Sequence, residues 1–148
     1  FQTFASGIFF GLGSVFFLIF NGLALGGVAG HLTQLGYTDT FYPFVVGHGA
    51  FELTAIVYSG AAGLKLGYAL INPGNLSRVE ALKLAGRDAV LIVYGAMLML
   101  IIAAFLEAFW SSSTFLPISV KYTVGGCFWL LVFYYSLFSG KRRESQPY

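Results

Sequence analysis

The feature that most constrains this chain is the length of its uncharged stretches. No Lys, Arg, Asp or Glu occurs before Asp39, and residues 89–106 are also free of them. Charged residues make up 9% of the 148 residues, against roughly 25% in an average soluble domain. Because a transmembrane helix needs ~20 apolar residues, the sequence predicts an all-α, polytopic helical membrane bundle of about four transmembrane helices in one domain.

Clusters of turn-forming residues divide the chain into segments. Residues 31–43, which include His31 and Pro43, are expected to form a loop, and further turns are expected after Ile71 and after Trp110. Ser77 and Glu80 match a capping box, which predicts a short interfacial helix on the cytoplasmic surface between the second and third spans. The predicted spans are about 4–25, 44–71, 88–110 and 119–139, followed by a basic tail at 141–148.

The basic residues predict the orientation of these spans. The connection between the second and third spans carries Arg78, Lys83 and Arg87, and the tail carries three more basic residues, whereas residues 31–43 and 111–118 carry none. Because Lys and Arg are enriched in cytoplasmic loops, we expect the middle connection and the C-terminus to be cytoplasmic. The chain is then expected to be a multi-pass membrane protein with residues 31–43 and 111–118 on the outer side.

Three ionisable residues lie within these apolar spans. His48 and Glu52 are four residues apart in the second span and share a helix face, and Glu107 lies near the end of the third. At ~1.5 Å per residue, His48, Glu52 and Glu107 would lie roughly 6, 12 and 5 Å from the outer ends of their predicted spans. Ionisable residues at membrane depth are hypotheses for functional sites by default, and we expect these three to lie close together.

Two interpretations of this cluster compete. In the first, His48 forms a hydrogen bond with a carboxylate and locks the helices together. In the second, His48, Glu52 and Glu107 bind a divalent metal such as Zn²⁺ or line a polar substrate pocket. The sequence has neither an H-E-x-x-H motif nor a G-x-S-x-G nucleophile elbow, so no catalytic residue and no other cofactor are expected.

Small residues and one amide indicate helix packing. Glycines recur along the first two spans, and such residues let helix backbones approach closely, although glycine is frequent in membrane helices generally. Asn21 is expected to form an interhelical hydrogen bond, and Cys127 to be a small buried hydrophobe. No basic stripe indicates nucleic acid. The glycines expected at helix contacts are Gly7, Gly11, Gly22, Gly26, Gly60, Gly63 and Gly67.

Several motifs occur in a characteristic order along the chain. They are Asn21-Gly22, His48-Gly49-x-x-Glu52-Leu53, Gly60-x-x-Gly63-Leu64 and Ala103-Ala104-x-x-Glu107-Ala108-Phe109-x-Ser111. With this order and spacing the chain resembles the stage II sporulation protein M family of prokaryotic membrane proteins. It departs from the family at Gly47, where a proline commonly precedes the His-Gly pair.

The resemblance implies a multi-pass protein of a prokaryotic plasma (inner) membrane. The family's namesake is a membrane scaffold for peptidoglycan-degrading enzymes during engulfment, and the wider family occurs in bacteria and archaea that never sporulate. We therefore expect a non-enzymatic scaffold or complex subunit in the lipid bilayer, with other membrane proteins or a second copy as partners. The alternative is a membrane-embedded metal-dependent enzyme or transporter that uses His48, Glu52 and Glu107.

The predicted orientation can be tested by labelling in intact cells. A cysteine introduced at Asp39 should react with an impermeant thiol reagent added from outside, and one at Asn75 should react only after the cells are opened. The parent chain, which carries Cys127, measures the background. The reverse labelling pattern would contradict the orientation.

Overall fold

The computed structural model describes residues 1–138, and within that part the chain is helical with no β-strand. Four long helices are each long and apolar enough to cross a membrane, which confirms the predicted all-α bundle. The predicted basic tail at 141–148 lies outside the described residues. The elements are α1 (Gln2–Ala5), a 3₁₀ turn (Ser6–Ile8), α2 (Leu12–Gln34), α3 (Thr38–Ile71), α4 (Arg78–Phe105) with a π-helical continuation (Leu106–Ser111), and α5 (Ile118–Phe138).

Helix α3 is the centre of the bundle. It contacts each of the other described elements, and 39% of its most apolar stretch is buried, against 6% for α2. Two groups of buried side chains lie along it. Towards its N-terminus Ala50 and Phe51 pack with Ala103 and Val132, and towards its C-terminus Ala62 and Leu66 pack with Ala85 and Ala89.

The N-terminal segment differs from the predicted first span at about 4–25. Phe10 and Gly11 adopt positive φ angles of 54° and 81°, which end the 3₁₀ turn and redirect the chain, so that α2 begins only at Leu12. The Ser14 hydroxyl donates a hydrogen bond of 2.6 Å to the carbonyl of Thr3. This bond holds α1 against the first turn of α2. The spanning helix ends at Gln34, where the sequence predicted an end at about residue 25.

Residues 31–43 do not form the expected loop. His31 lies in the last turn of α2, and the connection to α3 is only Leu35 to Tyr37, with Gly36 at φ 82°. Pro43 lies inside α3, where its missing N–H removes one helical hydrogen bond. Membrane helices accept such a proline because neighbouring groups satisfy the freed carbonyl, so proline is a weaker helix breaker here than in a soluble chain.

The predicted short interfacial helix is not a separate element. The capping box is present, since the Ser77 hydroxyl accepts from the Glu80 N–H and the Glu80 carboxylate accepts from the Ser77 N–H. From that cap, however, α4 continues without interruption to Phe105. The alanines on one of its faces, Ala81, Ala85 and Ala89, are buried, and small side chains at this spacing let α4 pack on α3 from its first turns.

Glycines of α3 allow the closest approaches in the bundle. A Cβ on Gly63 would overlap the Ser14 hydroxyl, and one on Gly67 would overlap the backbone of Gly11. Gly7 faces the backbone of Gly63, and Gly60 faces the side chain of Leu18. The N-terminal segment can therefore pack on α3 only where α3 lacks side chains.

Two other expectations, on the packing of α2 glycines and on the burial of Cys127, are not met in the described chain. A Cβ on Gly22 or Gly26 would meet nothing within 4 Å, because the face of α2 that carries them meets no other described residue there. Cys127, expected to be buried, is exposed. Gly63 and Gly67 of α3 therefore contact other parts of the chain, whereas Gly22 and Gly26 of α2 do not.

Alanine substitutions should distinguish the packed glycines of α3 from the unpacked glycines of α2 by their effect on stability. We expect Gly63→Ala to lower the free energy of unfolding by about 1–3 kcal/mol because the new methyl group overpacks the contact with Ser14. The matched change Gly22→Ala should alter it by less than about 0.5 kcal/mol. Unfolding in detergent micelles, followed by circular dichroism, measures both, and equal stabilities would contradict the packing described here.

Candidate functional site

His48 lies at a polar junction between helices. It is 5% exposed, and its Nδ1 lies 3.0 Å from the hydroxyl oxygen of Ser111, which is itself 2% exposed. The ring of Phe44 packs edge-on against the imidazole at a centroid distance of 5.2 Å. The histidine therefore has a buried polar partner on the segment that follows α4.

The π-helical segment brings Ser111 to this position. Its wider turn is seen in the bond from the Ser112 N–H to the Glu107 carbonyl, at 3.3 Å and five residues back. Single π-helical turns inside α-helices are frequent at functional sites. Trp110 packs in the same segment with its indole N–H buried and without a partner among the described residues.

Lys121 completes the junction from α5. It is 9% exposed, and its Nζ donates a hydrogen bond of 2.8 Å to the carbonyl oxygen of Ser111. Ser111 thus contacts His48 through its side chain and Lys121 through its backbone. One residue links α3, the end of α4 and the first turn of α5.

A cavity of about 670 Å³ lies beside this junction. Its walls come from the end of α2, the first turns of α3, the segment that links α4 to α5, and the first turn of α5. The lining combines aliphatic and aromatic side chains with several hydroxyl groups and two charged groups. The residues are Leu32, Tyr37, Asp39, Thr40, Phe41, Pro43, Phe44, Ser111, Ser112, Ser113, Thr114, Leu116, Ile118 and Lys121.

The sequence analysis did not identify Ser111 or Lys121 as site residues. Ser111 closes the motif that begins at Ala103, and Lys121 is a cation four residues after Pro117 in an apolar run. An intramembrane cation is a site hypothesis on its own. The carbonyl of Ser111 could not be recognised as its partner, because that contact depends on the π-helical geometry.

Glu52 lies in a different place from this junction. It is exposed and lines a groove of about 300 Å³ between α2 and α3, together with Asn21 and His48. Its carboxylate forms no hydrogen bond or ion pair with another described residue. The groove is otherwise apolar, with Ala24, Leu25, Val28, Val45, Gly49, Leu53 and Ile56 as its remaining lining.

The predicted metal set is not assembled in the structure. Glu107 is exposed on the π-helical segment, and no group of three His, Cys, Asp or Glu side chains in residues 1–138 could hold a metal ion. His48 therefore bonds to a serine hydroxyl in place of the expected carboxylate. The contact does join two helices, as the locking hypothesis requires, but with a different partner.

Asn21 satisfies its amide locally. Its Nδ2 donates a hydrogen bond of 2.6 Å to the carbonyl of Phe17, one turn earlier in α2. The expected interhelical bond is therefore absent from the described chain. Bonding of a polar side chain to its own helix backbone is a common alternative in apolar surroundings.

The longer α3 changes the depth of Glu52. Counted from Thr38, Glu52 lies about 21 Å along a helix of about 51 Å, deeper than the ~12 Å predicted from a helix beginning at Phe44. Asp39 and Lys65 are each thirteen residues from Glu52. Glu52 therefore lies at the midpoint between the charged residues that flank the apolar part of α3.

Four long apolar helices, three of them packed around the central α3, define a multi-pass helical membrane protein. The family model described as "Stage II sporulation protein M" matches residues 1–112, and the chain belongs to this family. A search of curated proteins finds no match, and neither does a search of solved structures. The matched region contains His48, Glu52 and Ser111 but not Lys121.

The bond between His48 and Ser111 should contribute measurably to stability. We expect Ser111→Ala to lower the free energy of unfolding by about 1–3 kcal/mol, because it leaves a buried ring nitrogen without a partner. Ser113→Ala removes a nearby hydroxyl that has no hydrogen bond within the described chain, and it should have almost no effect. Thermal unfolding in micelles measures both variants, and equal midpoints would contradict a structural role for the bond.

Proposed function

We propose that this protein is a non-catalytic subunit of a membrane protein complex and acts as a scaffold for partner helices. The observation that carries the proposal is Glu52. A carboxylate at the middle of a transmembrane helix is costly unless it is paired or in contact with water, and no other described residue pairs with it. A donor group on a partner helix would satisfy it.

The surroundings of Glu52 fit an incoming helix. The groove lies between α2 and α3 and is lined mostly by apolar side chains such as Leu25, Val28 and Ile56. On another part of its surface α2 presents Gly22 and Gly26 to open space, and small residues let a second helix approach at backbone distance. The expected occupant is an apolar helix that carries one hydrogen-bond donor.

The family supports the same role. Its namesake is a membrane scaffold for peptidoglycan-degrading enzymes, which agrees with a subunit that recruits partners in the plasma membrane, with its C-terminus in the cytoplasm, during remodelling of the cell envelope. The partner would be a second copy of this chain or another membrane protein. In either case the contact uses the exposed face of α2.

A second candidate function rests on the pair of His48 and Ser111. A hydroxyl within hydrogen-bond distance of an imidazole is the relation of a nucleophile to its general base, and Ser111 also lines the larger cavity. Such a pair normally includes a third group that orients the base, and the other ring nitrogen of His48 has no partner among residues 1–138. The subunit proposal also accounts for Glu52, which this pair does not involve.

The complex can be tested by its size after mild extraction. Wild-type protein should migrate on a native gel well above the monomer, and Gly26→Leu should reduce it to the monomer because the leucine blocks the approach of a partner. Gly95→Leu is the matched control, since Gly95 on α4 also faces open space, and it should leave the complex intact. A monomeric wild type, or an unchanged complex in Gly26→Leu, would contradict the proposal.

Ser111→Ala distinguishes the two candidate functions in cells. If the protein is a scaffold, a folded Ser111→Ala variant should retain the complex. It should also restore the growth of cells that lack the gene as well as the wild type does. Failure to restore growth, with an intact complex and near-normal abundance, would instead favour the chemistry of His48 and Ser111.

A further inference from the structure

Lys121 is a buried cation without an anionic partner in the described chain. It is 9% exposed, and its hydrogen bond to the neutral carbonyl of Ser111 uses one of the three donors of the ammonium group. The ion pair found among the described residues joins Lys65 to Asp88 at 2.6 Å, far along the bundle from Lys121. A buried charge is stabilised when an opposite charge pairs with it, so an anionic ligand at this position would lower the cost of burying the ammonium group.

The cavity of about 670 Å³ provides room for such an anion together with an apolar group. The hydroxyls of Thr40, Ser113 and Thr114 line it without side-chain hydrogen bonds to other described residues, and they can donate to anionic oxygens. Leu32, Phe44 and other apolar residues form the remaining wall. The volume falls within the range of about 300–1,000 Å³ that small-molecule sites occupy.

The charges of the lining limit the anion to a low charge. Lys121 supplies one positive charge, and the exposed carboxylate of Asp39 on the same lining disfavours a dianion. A phosphodiester carries a single negative charge and several acceptor oxygens, and lysine binds phosphate as a point charge.

The position of the cavity indicates where this phosphodiester comes from. The cavity lies at the ends of α2, α3, α4 and α5, and Tyr37, Tyr42 and Phe115 are exposed around it. Aromatic side chains at this level are typical of the membrane–water interface, where phospholipid phosphates lie. We propose that the cavity binds the headgroup of a phospholipid, with Lys121 donating to the phosphate oxygens and the apolar wall contacting the glycerol and first acyl carbons. This site is separate from the groove at Glu52 and does not depend on the proposed scaffold role.

Binding of a short-chain phospholipid to the purified full chain tests the proposal. Dihexanoyl-phosphatidylglycerol, titrated below its micellar concentration and followed by calorimetry, should bind to the wild type and to Lys121→Arg. Lys121→Gln should weaken this binding by about tenfold or more, as expected for loss of a charge-assisted hydrogen bond. Lys83→Gln removes the same charge from an exposed position and should bind like the wild type.

Two further ligands identify the group that is recognised. Dihexanoylglycerol, which lacks the phosphate, should bind at least about tenfold more weakly than the phospholipid. Inorganic phosphate should bind far more weakly than the phospholipid, because it cannot use the apolar wall. Equal binding of dihexanoylglycerol would overturn the role of the phosphate, and equal binding of inorganic phosphate would overturn the phospholipid as the source.

A second variant keeps the test independent of folding defects at Lys121. Thr114→Trp retains Lys121 and fills part of the cavity from an exposed position. It should weaken binding of the phospholipid by about tenfold or more while the helical circular dichroism stays that of the wild type. Wild-type affinity in either Lys121→Gln or Thr114→Trp would overturn the proposed site.

Discussion

The structure depends on the backbone-distance packing of α3. Where α3 carries Gly63 and Gly67, the folded N-terminal segment lies directly on its backbone, and where it carries Ala62 it packs with the alanines of α4. In a membrane the lipid chains are as apolar as the helices, so close van der Waals contact between small residues contributes much of the attraction between them. Each of the other described helices contacts α3.

Polar groups are distributed unevenly over this frame. At one end, His48, Ser111 and Lys121 form a junction whose hydrogen bonds join α3, α4 and α5. Each buried donor or acceptor at membrane depth needs a partner, and a single serine supplies two of them here. Glu52 has no such partner, although it lies only one turn from His48 on α3. His48, Ser111 and Lys121 are thus linked by hydrogen bonds within the described chain, whereas Glu52 has no such link.

The same contrast applies to the glycines. Gly60, Gly63 and Gly67 are opposed by other parts of the chain, whereas Gly22 and Gly26 on α2 are opposed by nothing within 4 Å. In the membrane this face of α2 is covered either by lipid or by protein. Because α2 also lines the groove that holds the carboxylate of Glu52, a protein helix is the better candidate, since lipid chains offer no hydrogen-bond donor.

The sequence by itself determined the class of the protein, because long uncharged stretches have few alternatives to transmembrane helices. It also determined the cap at Ser77 and Glu80, which depends on residues three positions apart. Tertiary structure decided the break at Gly11, the helical state of Pro43 and the partner of His48. A left-handed glycine, a π-helical turn and a contact over 63 residues depend on how helices pack, and local spacing carries no signal for them. For that reason the sequence indicated His48 as a site residue but not its contact with Ser111, nor the contact of Ser111 with Lys121.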